Sequence, residues 1–173
     1  EVGGAMHELV SDDTPAHLLS DITCAALILG PNVPDAWQPA HPQLVCCVAP
    51  ADRAHIALPW MARWFNTFGG NTPCFVTVIH TGLPDTDASE RVQALARDLF
   101  ATSGITGDWN VTQDDDPVDG VLALTHDNHD AVIVVTTERW SDTSRLHLHS
   151  VARRLARSST KPVLVVPYAS AAA

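Results

Sequence analysis

At 173 residues, with 46% hydrophobic and 17% charged side chains, the chain is long enough for one compact domain plus an appendage and too short for two full domains. Its formal charge of −10 repels phosphate backbones and anionic lipid, which argues against nucleic acid and membrane surfaces as partners. The apolar runs are strand-sized, and none approaches the roughly 20 residues that a membrane-crossing helix needs.

The chain starts at Glu1 without a basic-then-apolar leader, so something upstream is expected to have been removed or left out; the protein itself is expected to be cytoplasmic. Residues 11–31 (SDDTPAHLLSDITCAALILGP) read as a capped helix followed by an apolar strand at 24–29. Pro31, Pro34, Pro39 and Pro42 then punctuate a stretch without periodicity, expected to be a semi-extended linker over 31–43.

From residue 44 onward, short β-rich runs alternate with segments of helical period, the pattern of a parallel sheet covered by helices. Strands are expected at Leu44–Ala49, Phe75–His80, more weakly at Asp108–Thr112, then at Ala131–Thr136 and Val163–Val166. Several are apolar almost throughout, as parallel strands buried on both faces are. Ile56, Trp60, Met61, Trp64, Phe65 and Phe68 form the stripe of a first helix, which Pro59 can kink. Val92, Leu95, Ala96, Leu99 and Phe100 form a second, stopped by Ser103 and Gly104. Asp116 and Pro117 supply the cap and first position of a third, which runs through Val118, Val121 and Leu122 and ends near His126–Asp130. The fourth carries Leu148, Val151, Ala152, Leu155 and Ala156, with Arg153, Arg154 and Arg157 suited to its C-terminal end. Cys24, Cys46, Cys47 and Cys74 fall in or at the start of apolar runs, as small buried hydrophobes of a reducing compartment do.

The helix-then-strand order of 11–31 recurs at 149–168. Setting Thr23 on Thr160 aligns Leu18 with Leu155, Leu27 with Leu164 and Ile28 with Val165, a separation on the order of one domain length, ~100–150 residues. Residues 1–30 are therefore expected to be the closing helix and strand of an upstream repeat, and 44–168 the domain itself, with 169–173 a tail. The alternative is a match by composition alone.

DPVDGVLALTHDNHDAVIVVTT (116–137) resembles the helix-strand unit of the universal stress protein family, and HSVARRLARSSTKPVLVVP (149–167) is similar to its closing helix and strand. The resemblance covers 43–168. It implies an α/β fold of the adenine nucleotide alpha hydrolase-like kind: a five-stranded parallel sheet with helices on both faces and strand order 3-2-1-4-5, counted from Leu44. It also implies that the last strand lies at an edge and pairs antiparallel with the last strand of a partner. An apolar edge such as Val163–Val166 invites aggregation unless covered, and either the strand at 24–29 of the same chain or a second copy can cover it.

In such sheets ligands lie outside the carboxyl ends of the strands, where strand order reverses. ATP-binding members of the family place an Asp at the end of the first strand. They follow the fourth with glycine, two residues, glycine, nine residues, glycine, then Ser or Thr. The resemblance puts the Asp on Ala49 and the glycines on Thr136, Arg139 and His149; only the final hydroxyl is kept, as Ser150. Glycines let main-chain N–H groups approach phosphate closely, and these side chains fill that space. Glu138 and Asp142 further oppose a polyphosphate, whereas Arg139, Arg145 and His149 offer side-chain alternatives.

Other clusters have simpler accounts. His126, His129, His147 and His149 lack a diagnostic ligand spacing, and His80 suits the edge of a core. Ser150, His149 and Asp142 are too close in sequence to face one another as nucleophile and base, so Ser150 is better explained as a helix cap. Asp114, Asp115 and Asp116 suit the loop before a helix N-terminus better than a cation site. The expectation is a regulatory or interaction module of the stress response with a degenerate nucleotide site, no cofactor, no metal and no catalysis. The alternative is an adenine-nucleotide-binding protein, for ATP or AMP, with weak ATPase activity.

Overall fold

The computed structural model describes residues 25–39, 42–48, 74–79, 107–138 and 151–168, together with helical positions 90, 93, 94, 97, 98 and 101. Mostly apolar runs form strands β1 (Ala26–Ile28), β2 (Gln43–Cys47), β3 (Cys74–Ile79), β5 (Ala131–Glu138) and β6 (Val163–Tyr168), and the more polar DWNVTQ forms β4 (Asp108–Gln113). Two helices, α1 (Pro117–Thr125) and α2 (Val151–Ser158), lie between strands of this set.

The strands make one mixed sheet of order β1-β6-β5-β2-β3-β4. Four of its five pairings are parallel, and β1 alone runs antiparallel, against β6. The sheet thus has six strands rather than the expected five. The difference is β1, whose Ala26, Leu27 and Ile28 stand opposite Val165, Leu164 and Val163 and occupy the apolar edge of β6. Strands β5 and β6 also run on to Glu138 and Tyr168, beyond the expected ends at Thr136 and Val166. Each end residue has its partner in the shared ladder, Glu138 opposite Tyr168, so mutual pairing outlasts the apolar pattern.

Strand alternation sorts the core into two layers. Leu44, Cys46, Val48, Phe75, Val132, Val134, Leu164 and Val166 fill one face. Val45, Val76, Ala131, Ile133, Val135, Val163 and Val165 fill the other, packed with Val118 and Val121 of α1 and Leu155 of α2. Phe75, fully buried, stacks on Trp109 at 5.3 Å between ring centroids, a contact worth about 0.5–1.5 kcal/mol beyond area burial.

Helix α1 starts as its sequence dictates. The Asp116 carboxylate accepts from the Val118 N–H at 2.9 Å, and Pro117 takes the first turn. It ends at Thr125, earlier than His126–Asp130, and those residues form turns. The Thr125 hydroxyl donates back to the Val121 carbonyl at 2.9 Å. The six helical positions between 90 and 101 fall in the second expected helix; the first, around 56–68, lies outside the described residues.

The proline-rich stretch before β2 is docked rather than free. The Asn32 side chain donates to the Arg157 and Ser158 carbonyls at 3.0 and 3.3 Å, satisfying acceptors left open at the C-terminus of α2. The Trp37 indole donates to the His129 carbonyl at 3.2 Å and packs against the core. Gly30 passes so close to α2 that a Cβ there would lie 2.0 Å from the Ala156 carbonyl oxygen. Prolines suggest extension, but two turns fold the stretch: Val33 N–H to Gly30 O, and Trp37 N–H to Pro34 O.

Deleting residues 1–30 strips β1 from β6. The truncated chain should dimerise or aggregate where the full chain does not, as read by light scattering across a concentration series. A truncated chain that is equally soluble and monomeric would show that the β6 edge needs no cover.

Candidate functional site

The order of the sheet reverses between β2 and β5, since the chain proceeds from β2 outward through β3 and β4 and then returns to β5. Ladder lengths show how a crevice opens there. The β2–β5 ladder runs from Gln43 opposite Ala131 to Cys46 opposite Val134 and stops. The β5–β6 ladder continues through Thr136 opposite Val166 to Glu138 opposite Tyr168. On the other side, the Val48 N–H donates to the Val76 carbonyl at 2.8 Å, so the end of β2 follows β3. The two halves of the sheet part beyond Cys46 and Val134, at the carboxyl ends where ligands of doubly wound sheets bind.

A relay of side chains fixes the β2 wall of this crevice. Trp109 Nε1 donates to Thr77 Oγ1 at 3.1 Å, and the Thr77 hydroxyl donates onward to the Val48 carbonyl at 3.1 Å. Thr77 is buried, and its bond to Val48 forms away from water, while the bond from the half-buried Trp109 is partly screened from it. The relay spans β4, β3 and β2 and holds the carbonyl immediately before Ala49. On the other wall, period-two alternation places the half-buried Thr136 on the face of Val132 and Val134, the same face as Cys46 and Val48.

Of the five residues singled out from sequence, Thr136 alone is described, and it sits at this crevice. Ala49, Arg139, His149 and Ser150 lie outside the described residues, as do Asp142, Arg145, His80, His147 and Cys24. His126 and His129 are exposed in the turns after α1, on the chain preceding β5 and so far from its carboxyl end.

Cys46 and Cys47 approach the crevice along β2. Burial, reinforced by Cys74, pushes the Cys47 thiol up to about 12; burial also drives the Cys46 thiol upward, with Cys47 and Cys74 adding to the effect. Cys74 is raised by burial, against the hydrogen bond that Asn110 donates to its sulfur at 3.2 Å. All three stay protonated at neutral pH and make poor nucleophiles or metal ligands.

Two members of the acidic triplet, Asp114 and Asp116, are used in the turn and cap that start α1. Asp114 accepts from the Asp116 N–H at 3.0 Å. Asp116 caps α1 and receives both terminal nitrogens of Arg154, at 3.0 and 2.6 Å. Arg154 was expected to serve the C-terminal end of its own helix; it instead ties α2 to the start of α1 in a two-pronged ion pair. Among the described residues, no group of three His, Cys, Asp or Glu side chains is arranged to hold a metal ion. No described helix is long and apolar enough to cross a membrane.

Neither the Thr77 relay nor the Asp116–Arg154 pair was found by sequence reasoning. An indole in the polar strand DWNVTQ was the one available hint of the first. The second joins residues 38 positions apart with no spacing rule behind it.

Among the described residues the fold is an α/β module with a mainly parallel sheet, both described helices on one face of it, and a topological switch point between β2 and β5. The model of the universal stress protein family matches residues 75–167, more than half of the chain, and the chain belongs to that family. Among solved structures it is similar to a universal stress protein in complex with cAMP, at 20% identity over 75% of this chain and 99% of that one, with a TM-score of 0.56. It is similar also to a universal stress family protein from Burkholderia pseudomallei, at 17% identity over 75% and 99%, TM-score 0.54. A third is the universal stress protein from Archaeoglobus fulgidus in complex with dAMP, at 20% identity over 74% and 99%, TM-score 0.51. At these identities the likeness is one of fold. No curated protein matches the chain.

Two outcomes test this geometry. Thr77→Val removes the relay while keeping its volume, leaving the Val48 carbonyl and Trp109 N–H to find other partners; chemical denaturation should show a loss of about 1–3 kcal/mol. An unchanged midpoint would mean that water replaces the hydroxyl. Arg154, followed by the Val118 N–H, holds the Asp116 carboxyl below the ordinary carboxylate range. Its stabilising contribution is therefore full above that range and lost as pH falls through the lowered value. Asp116→Asn, which keeps a capping oxygen without the charge, should melt below wild type at neutral pH and converge with it on acidification. A gap constant with pH would contradict the ion-pair account.

Proposed function

We propose that this chain is a regulatory and interaction module whose nucleotide site is degenerate, acting in the stress response through a pseudo-dimeric assembly and not as an enzyme. The observation that carries the proposal is Thr136. Where the resemblance implies a glycine, a β-branched side chain stands half-buried at the carboxyl end of β5, beside the point where β2 and β5 part. A Cβ and its branches occupy the space through which phosphate oxygens would reach main-chain N–H groups. The residues outside the described set point the same way: Ala49 offers no carboxylate to an adenosine, and Arg139 and His149 replace glycines with bulk. In this reading the protein needs no cofactor and works in the cytoplasm.

The assembly half is supported by the register of β1. The sequence superposition equates Leu27 with Leu164 and Ile28 with Val165. In the sheet Leu27 stands opposite Leu164, Ile28 opposite Val163 and Ala26 opposite Val165. Leu27 thus meets its own equivalent, and Ala26 and Ile28 stand opposite the equivalents of each other, about a two-fold axis through the Leu27–Leu164 pair, the self-complementary arrangement of an isologous interface. Residues 1–30, read as the end of an upstream repeat, supply the edge strand that a second subunit would otherwise bring.

The second reading is adenine-nucleotide binding with weak ATPase activity. It is favoured by the parting of β2 and β5 beyond Cys46 and Val134 and by two neighbours in complex with cAMP and dAMP. Arg139, Arg145 and His149 would then hold phosphate by their side chains.

Calorimetry with ATP, AMP and cyclic AMP separates the two, together with a search for nucleotide released on denaturing the purified protein. The module reading expects no released nucleotide and no saturable heat. One equivalent of tightly held ATP, or stoichiometric binding of any of the three, would overturn it.

A further inference from the structure

Lys161 is the single lysine of the chain, and it is only 6% exposed. A surface lysine buries its stem and keeps its charged head in water, which leaves far more of the residue accessible than this. The backbone is held on both sides of it. The Lys161 N–H donates to Oγ of the buried Ser159 at 2.8 Å, and the Ser159 N–H donates to the Leu155 carbonyl of α2, also at 2.8 Å. Pro162 follows directly and restricts Lys161 to extended backbone, and the Pro162 carbonyl accepts from the Ile133 N–H of β5 at 3.0 Å. Just upstream, Asn32 holds the carbonyls of Arg157 and Ser158. With its backbone pinned at both neighbours, the side chain reaches water only when the turn between α2 and β6 opens.

We propose that Lys161 is a cryptic acylation site, closed to acyl donors in the folded chain and reached when that turn opens. In the reaction the uncharged amine attacks the carbonyl carbon of an acyl phosphate, a thioester or an active ester. The C–N bond forms, the bond from that carbon to the leaving oxygen or sulfur breaks, and the amine gives a proton to solvent. The product has lost its charge and gained the bulk of an acyl group. A site that leaves 6% of the unmodified lysine exposed has little space for the addition. Acylated Lys161 therefore keeps the turn open and costs β6 the anchor at its start, where Pro162 meets Ile133. Because the chain has no other lysine, acyl donors mark the side chains of opened molecules and pass over closed ones. The turn lies at the amino end of β6, the opposite end of the sheet from the crevice, so this inference stands apart from the nucleotide question.

Acetylation by an N-hydroxysuccinimide ester, read by peptide mass spectrometry, tests the proposal, with Arg97→Lys at an exposed helical position supplying an internal standard. In native buffer Lys161 should react at least about 100-fold more slowly than the standard, and in denaturant the two should react alike. Comparable rates in native buffer would place the amine in water and overturn the proposal. In a second arm, the unsubstituted chain is acetylated in denaturant and returned to buffer. Its Ile133 amide should then exchange quickly with solvent, whereas Lys161→Arg carried through the same treatment, acetylated at its N-terminal amine alone, should keep that amide protected. An acetylated chain that regains full protection at Ile133 shows that the turn accommodates the group, which contradicts the proposal. Equal loss of protection in Lys161→Arg contradicts it too, since the effect then lies elsewhere.

Discussion

The outer backbone edge of β6 is the constraint around which the described structure is arranged. Val163–Val166 is fully apolar and pairs with β5 on its inner side, so its outer N–H and C=O groups need partners or they template association. β1 meets that need in the one antiparallel pairing of the sheet, and the Gly30–Asn32 clamp and Trp37 hold the connecting strap against the domain. A stretch that composition presents as a tether is thereby part of the folded unit.

The crevice follows from a second property of the same sheet. A central strand with neighbours on both sides splits its loyalty at the end: β2 leans toward β3 through Val48, and β5 stays with β6 to Glu138. The opening belongs to the topology and is present whatever the side chains are. What a crevice of this kind can hold is set locally, and here one wall ends at Val48, whose N–H and carbonyl are both engaged by β3, while the other carries a β-branched Thr136. Family membership and site chemistry are therefore separate questions, and a fold shared with proteins solved in complex with cAMP or dAMP does not transfer the ligand.

Much of this architecture was legible in the sequence because it depends on short-range pattern. Continuous apolar runs mark β5 and β6, and the Asp116–Pro117 pair marks the start of α1. An internal similarity marks the segment that becomes β1. What was not legible depends on residues brought together by folding. Nothing near Thr77 announces Trp109 as its donor, nothing near Arg154 announces Asp116, and the prolines of 31–42 conceal the turns that dock them. Strand ends were also misjudged, since the ladder between β5 and β6 outlasts the apolar residues that suggested it. Of the candidate site, Thr136 alone falls among the described residues, on β5.

The most direct measurement of the central claim is residue-resolved amide exchange along β6 in the dilute intact chain. If β1 fills that edge from within the same chain, the outward-facing amides of Val163–Val165 exchange as slowly as those of β5, at a rate independent of protein concentration. Fast exchange in dilute solution, with protection appearing only as concentration rises, would mean that the edge is left open by its own chain and is closed by another.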